Sequence, residues 1–142
     1  AEERDARQQR AERYNELARA AELPAVSDRG GFEANRAAIA ERLAAVCCLK
    51  GAGTVVAGPA GGLAVNTSGN PGMSAAGQGD GLTGVIGALL GSGHDGWRAA
   101  CLGVWAHGAA ADRARDELGP WGLLAGECAD RLPAVWRQLQ AE

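Results

Sequence analysis

The stretch that most constrains this chain is Asn66 to Leu90, NTSGNPGMSAAGQGDGLTGVIGALL. It is glycine-rich and opens into an apolar run of helical character. From Gly51 through His94 the one formally charged side chain is Asp80. A long segment of glycines and small residues holding a single carboxylate is not an ordinary solvated loop. Gly77, Gly79 and Gly81 give the backbone conformations closed to other residues. Successive N–H groups can then turn into one concavity and form an anion nest. Gly84 to Leu90 reads as a helix, which would set the nest at a helix N-terminus, where free N–H groups and the positive dipole end favour phosphate. The alternative is that Asp80 is the N-cap of that helix, its carboxylate accepting from the first turn. The two roles are compatible, and the sequence leaves both open.

Composition narrows the function classes. The 142 residues suit one domain. With 14 basic against 17 acidic side chains the net charge is −3, and no basic stripe interleaves with aromatics, which argues against nucleic acid as a partner. No apolar run reaches membrane-spanning length, and nothing at the start reads as a signal peptide. The polar opening without Met suggests a processed chain or a fragment. Cys47, Cys48, Cys101 and Cys128 match no zinc spacing and read as buried reduced thiols of a cytoplasmic protein. His94 and His107 are too far apart in sequence to suggest a metal site, and His107 reads as a hydrogen-bonded structural residue.

The chain reads as α/β. Residues 1–23 form a charged helix with few apolar positions, and Pro24 to Phe32 is a break. A second helix, about 33–45, carries Ile39, Leu43 and Val46 at helical spacing. Val46 to Leu49 is a short buried strand. Thr54 to Ala57 and Leu63 to Val65 are two more, joined as a hairpin by Gly58 to Gly62. Asn70-Pro71-Gly72 is a tight turn. Gly91 to Gly93 ends the glycine-rich helix. The next helix, Asp95 to about Leu118, lines up Trp97, Ala100, Cys101, Val104, Trp105 and Gly108. Gly119 to Gly122 breaks the chain again. Leu123 to about Gln140 is the last helix, kinked or restarted at Pro133. Residues 1–31 read as a polar helical extension and break, and residues 32–142 as the domain proper.

Lys50-Gly-Ala-Gly-Thr54 follows a strand, as phosphate loops do, with a lysine point charge and glycines that admit a ligand close to the backbone. It is not the GxxxxGK[ST] pattern. Combined with Gly77-Gln-Gly-Asp80 it makes a two-part phosphate site.

Lys50 to Pro59, Val65 to Met73, Gly77 to Asp80 with Leu82-Thr-Gly84, Ala99 to Gly108 and Gly122 to Gly126 together resemble the C-terminal half of the ADP- or ATP-dependent NAD(P)H-hydrate dehydratases. The resemblance runs from about Arg36 to Leu139. It implies a ribokinase-like three-layer fold and repair of the S-form of hydrated NADH and NADPH, with Mg²⁺ as cofactor and ADP or ATP as phosphate donor. It implies that Lys50, Gly51, Ala52, Gly53, Thr54 and Gly79 contact the nucleotide and that Asp80 meets the hydrated nicotinamide. The amides of Gly77, Gln78 and Gly79 would form the anion hole. Gly81 departs from the family, which has an apolar residue there. The family's N-terminal half, including its His-Pro-Gly-Glu segment, is missing. Association with such a half, or with a second copy, is therefore expected. A ribokinase-like kinase of small molecules and an inactive fragment are the competing readings.

Overall fold

A computed structural model describes residues 40–141. The expected first helix, the break after it and most of the second helix lie outside the described residues, as does the polar extension 1–31. The described residues divide into two compact units: residues 40–47 with Ala57–Leu63, and Cys48–Val56 with residues 64–141.

In the first unit, residues 40–42 are a helical stretch. It stops before the expected residue 45 because Ala44 takes a left-handed φ of 47°, while the Ala45 N–H returns to the Ala40 carbonyl at 3.0 Å. The segment 58–62 is a closed turn in which Gly58 N–H donates to Gly62 O at 2.8 Å.

Three short strands, β1 (Cys47–Leu49), β2 (Val55–Ala57) and β3 (Leu63–Val65), pair in the order β1-β2-β3. The hairpin of β2 and β3 stands as expected. β2 is fully buried, but β1 is half-buried rather than buried.

Four helices follow in the second unit: α1 (Gln78–Gly91), α2 (Gly96–Leu118), α3 (Ala125–Ala129) and α4 (Leu132–Leu139). The expected single last helix is two, because the chain restarts with Pro133 in the first turn of α4, where its missing N–H costs nothing. α1 ends as expected, with Gly93 left-handed at φ 93° and His94 N–H bonded back to Leu89 O at 3.2 Å. Asp95 caps α2 through Arg98 N–H at 3.0 Å, a bond that holds its carboxyl below the usual range.

α2 is the central element, packed against α1, α3 and α4. The sequence pattern points to one apolar stripe; burial instead reaches Ala99, Ala100, Gly103, Val104, Ala106, His107, Gly108, Ala110, Ala111 and Ala114, while Trp97, Cys101 and Trp105 are half-buried. Small residues make this possible. A Cβ at Gly103 would stand 2.7 Å from Ile86 Cγ1 of α1, so the glycine sets how closely the helices approach. Ala111 and Ala114 pack with Leu123 and Cys128, and Ala106 and Ala110 with Val135. All four cysteines are free; only Cys128 is buried, so the expectation of buried thiols fails for the other three.

Candidate functional site

The site begins in the segment between β3 and α1. Asn66 folds it locally: its Oδ1 accepts from Ser68 N–H at 3.3 Å, and its Nδ2 donates to Ser68 O at 2.9 Å. Ser68 Oγ then donates across to the Trp105 carbonyl of α2 at 2.8 Å. Asp112 of α2 holds the next two residues, taking Gly69 N–H at 2.8 Å and Asn70 Nδ2 at 3.0 Å. Asn70 in turn caps a short 3₁₀ turn, Pro71–Met73, by accepting from Gly72 N–H at 3.0 Å. The expected tight turn is therefore present and is anchored to α2. Gly108 allows the close seating, since a Cβ there would run into Ser68 and stand 2.9 Å from Gly69 N.

α1 starts earlier than the sequence indicates. Gln78, Gly79 and Asp80 are its first three residues rather than a loop, and Gly77 is the N-cap. Of the three glycines expected to take special conformations, only Gly77 does, at φ 85°. Asp80 is not the N-cap; it is exposed in the first turn, and no side chain caps this helix. The amides of the first turn thus have no intrahelical acceptor and no side-chain acceptor, and the positive dipole end is open. Helix formation through glycines here follows from tertiary support. The buried Gln78 Nε2 reaches Leu123 O at 3.5 Å and Cys128 Sγ at 3.4 Å, which ties the first residue of α1 to the α3 region.

Lys50, at the end of β1, arrives at this helix start. A Cβ on Gly79 would lie 2.5 Å from Lys50 Nζ, so the second residue of α1 is the one against which the ammonium rests. Neither Lys50 nor Asp80 takes part in an ion pair among the described residues. The turn behind Lys50 is closed by buried Thr54, whose Oγ1 donates to Gly51 O at 3.0 Å and accepts from Gly51 N–H at 3.2 Å. Gly51 and Gly53 both carry positive φ, 150° and 66°. Ala52 and Gly53 are exposed at the tip of this turn, away from burial. Of the residues singled out in the sequence, Lys50, Gly79 and the first turn holding Gln78 and Asp80 are brought together; Gly51 and Thr54 shape the turn that presents Lys50.

His107 of α2 is the residue that sequence reasoning undervalued. It is buried, and its Nε2 has no hydrogen-bond partner, so the expected satisfied structural histidine is not what stands here. A Cβ on Gly81 would lie 3.5 Å from that nitrogen, which places it beside the first turn of α1. Burial first, and the Lys50 charge second, push its pKa below the ordinary 6.5. Asp112 was also missed. The signal available was a lone carboxylate among alanines of a helix, Ala109 to Ala114.

No group of three or more His, Cys, Asp or Glu side chains able to hold a metal ion exists among the described residues. Those residues thus offer no metal cage. A Mg²⁺ here would have to be carried chiefly by phosphate oxygens and water, as is common for that ion.

An uncapped helix start, a lysine laid against its second residue and an exposed carboxylate one residue further on make an anion-attracting site in an α/β setting. The chain belongs to the NAD(P)H-hydrate dehydratase family, whose pattern matches residues 14–134. It is 46% identical over 102 residues to the ADP-dependent (S)-NAD(P)H-hydrate dehydratase of Neisseria meningitidis, a match covering 68% of this chain and 34% of that protein. Over 98 residues it is 49% identical to the bifunctional NAD(P)H-hydrate repair enzyme Nnr of Moorella thermoacetica, covering 69% of this chain and 18% of the relative. A crystal structure of the Bacillus subtilis ADP/ATP-dependent NAD(P)H-hydrate dehydratase, co-crystallised with ATP and Mg²⁺, superposes with a TM-score of 0.67 at 38% identity, over 77% of this chain and 41% of that one. The chain therefore spans well under half the length of these relatives. The mixed helices and small sheet described above match a portion of that ribokinase-like dehydratase fold.

Proposed function

We propose that this chain carries the nucleotide-phosphate part of an ADP- or ATP-dependent (S)-NAD(P)H-hydrate dehydratase. The observation that carries the reading is Lys50 Nζ resting against Gly79 at the uncapped start of α1, with Asp80 exposed in the same turn. Lys50 and the amides of Gln78 and Gly79 attract and orient the terminal phosphate of the nucleotide. Asp80 accepts the proton of the hydrate hydroxyl as its oxygen bonds to phosphorus and the bond to the leaving nucleotide phosphate breaks. Loss of inorganic phosphate and of a ring proton then restores the dihydronicotinamide. With ADP the products are NAD(P)H, AMP and phosphate. Mg²⁺ bound to the nucleotide would share the phosphoryl charge; no residue set of this chain is assigned to it.

A second reading is favoured by one observation. Leu63 and Val65 of β3 are 51% and 60% exposed, an apolar strand surface that calls for cover. On this reading the chain binds nucleotide but turns over only together with a further segment or partner.

The test is recovery of dihydronicotinamide absorbance from chemically hydrated NADH, with ADP or ATP and Mg²⁺, on wild type and Asp80→Asn. Nucleotide-dependent recovery that falls by roughly 10²–10⁴ in Asp80→Asn supports the dehydratase. ADP binding that depends on Lys50 but yields no recovery supports the second reading. Absence of both overturns the assignment of a phosphate site to the start of α1.

A further inference from the structure

Two buried side-chain polar atoms among the described residues lack a partner, Gln78 Oε1 and His107 Nε2, and both belong to the surroundings of the first turn of α1. Gln78 spends its other end on Leu123 and Cys128 and is an anchor. His107 needs a different account. It is only 6% exposed, and Nε2 faces the bare Cα side of Gly81. Lys50, two helix residues nearer the start, rests on Gly79. Burial first favours the neutral imidazole, and the uncompensated field of Lys50 acts in the same direction. An anion bound at the helix start compensates that field.

We propose that binding of a nucleotide phosphate at the start of α1 is coupled to uptake of one proton by His107 at Nε2, so that the site holds its anion more tightly as pH falls. The inference rests on the phosphate reading given above. The step is a plain protonation: a proton from solvent or buffer forms an N–H bond at Nε2, the imidazole passes from neutral to +1, and no electrons are transferred.

Among the described residues the charges around His107 are few. In α1 the one charged residue is Asp80, and the segment 66–77 has none. From the β1–β2 side the charged residue is Lys50. On its own helix the nearest carboxylate, Asp112, is occupied by Gly69, Asn70 and Arg115. In α3, Glu127 accepts from Leu124 N–H, while Arg131, just past that helix, is paired with Glu117; Asp130 is exposed, and Arg137 of α4 is exposed too. Burial is the first cause that keeps the imidazole toward its neutral form, and among the described residues Lys50 is the charge that acts in the same direction. Because binding and protonation are reciprocal, an anion that offsets Lys50 must raise the proton affinity of His107, and protonation must raise the affinity for the anion.

The experiment is calorimetric titration of the full chain with ADP between pH 5.5 and 7.5, in buffer pairs of different ionisation enthalpy, on wild type and His107→Gln. Wild type should take up a fraction of a proton on binding. Its Kd should tighten as pH falls more steeply than that of His107→Gln, by up to about tenfold per pH unit. The nucleotide's own phosphate titration is common to both proteins, so their difference isolates His107. A second readout covers the case in which His107→Gln does not fold: ring ¹⁵N shifts of His107 in wild type, which has only one other histidine, should move toward the imidazolium pattern when ADP is added. ADP binding with no difference in proton uptake, or with unmoved ring shifts, overturns the coupling and leaves the phosphate site intact. Failure of wild type to bind ADP overturns the phosphate reading, and the coupling with it.

Discussion

Replacing Gly79 by Ala separates the fold from the site. The new Cβ would fall 2.5 Å from Lys50 Nζ, where ordinary contact begins at 3.4 Å, so the ammonium must retreat by about 1 Å. Among the described residues outside its own turn, the atoms within 4 Å are the last two of an exposed, flexible side chain, so retreat costs the fold little. The helix itself gains, because Ala outranks Gly in a helix by roughly 0.5–1 kcal/mol, less in the first turn. Moving a unit charge from about 4 to about 5 Å from a phosphate charge weakens their attraction from about 4 to about 3.3 kcal/mol at an effective dielectric near 20. Solvent screening of exposed Lys50 cuts that difference, leaving a two- to fourfold rise in Kd as the expected size. Thermal melts should show equal or slightly higher stability, and titration with ADP should show the weaker binding. A Gly79→Ala protein that is destabilised by more than about 1 kcal/mol while binding ADP as well as wild type would refute the placement of Lys50 over the second residue of α1.

Other substitutions probe the supports. Gly108→Ala should lower stability by about 1–3 kcal/mol in urea melts, because its Cβ would meet Ser68 and stand 2.8 Å from that residue's carbonyl carbon, all on an anchored backbone. Asp112→Asn keeps the shape but turns an acceptor oxygen into a donor facing Gly69 N–H or Asn70 Nδ2; a loss of about 1–3 kcal/mol is expected by the same assay. The His107 pKa is lower in the folded chain than its ordinary 6.5, so below that pH the unfolded chain binds more protons. Ligand-free wild type should therefore lose stability as pH falls through and below 6.5. His107→Gln should lose less across the same range in melts run at stepped pH.

The strands, the hairpin, the end of α1 and the extent of α2 were legible because each is written in local signals: apolar triplets between glycine turns, a terminal glycine after an apolar run, and Asp95 before Trp97. The start of α1 was not legible. Gln78-Gly79-Asp80-Gly81 has the weakest helical preference of any segment in that element, and what makes it helical is Gln78 buried against Leu123 and Cys128, residues 45 and 50 positions away. The same distance in sequence hid the partners of Asp112 and the isolation of His107 Nε2. The motif residues could be found from spacing, since a phosphate site needs glycines and a lysine wherever it occurs. Their roles could not. Gly79 lets the Lys50 ammonium lie against α1, and Gly81 is the residue that His107 Nε2 neighbours; both relations exist only after folding. Glycines that look interchangeable in the sequence thus divide by surroundings: Gly77 takes a left-handed cap, Gly79 lies under a cation, and Gly81 has room for a Cβ beside an imidazole. Alanine at the three should then behave differently: strain at residue 77, displaced charge at residue 79, and tolerance at residue 81, where the new Cβ would stand at an ordinary contact distance of 3.5 Å from His107 Nε2.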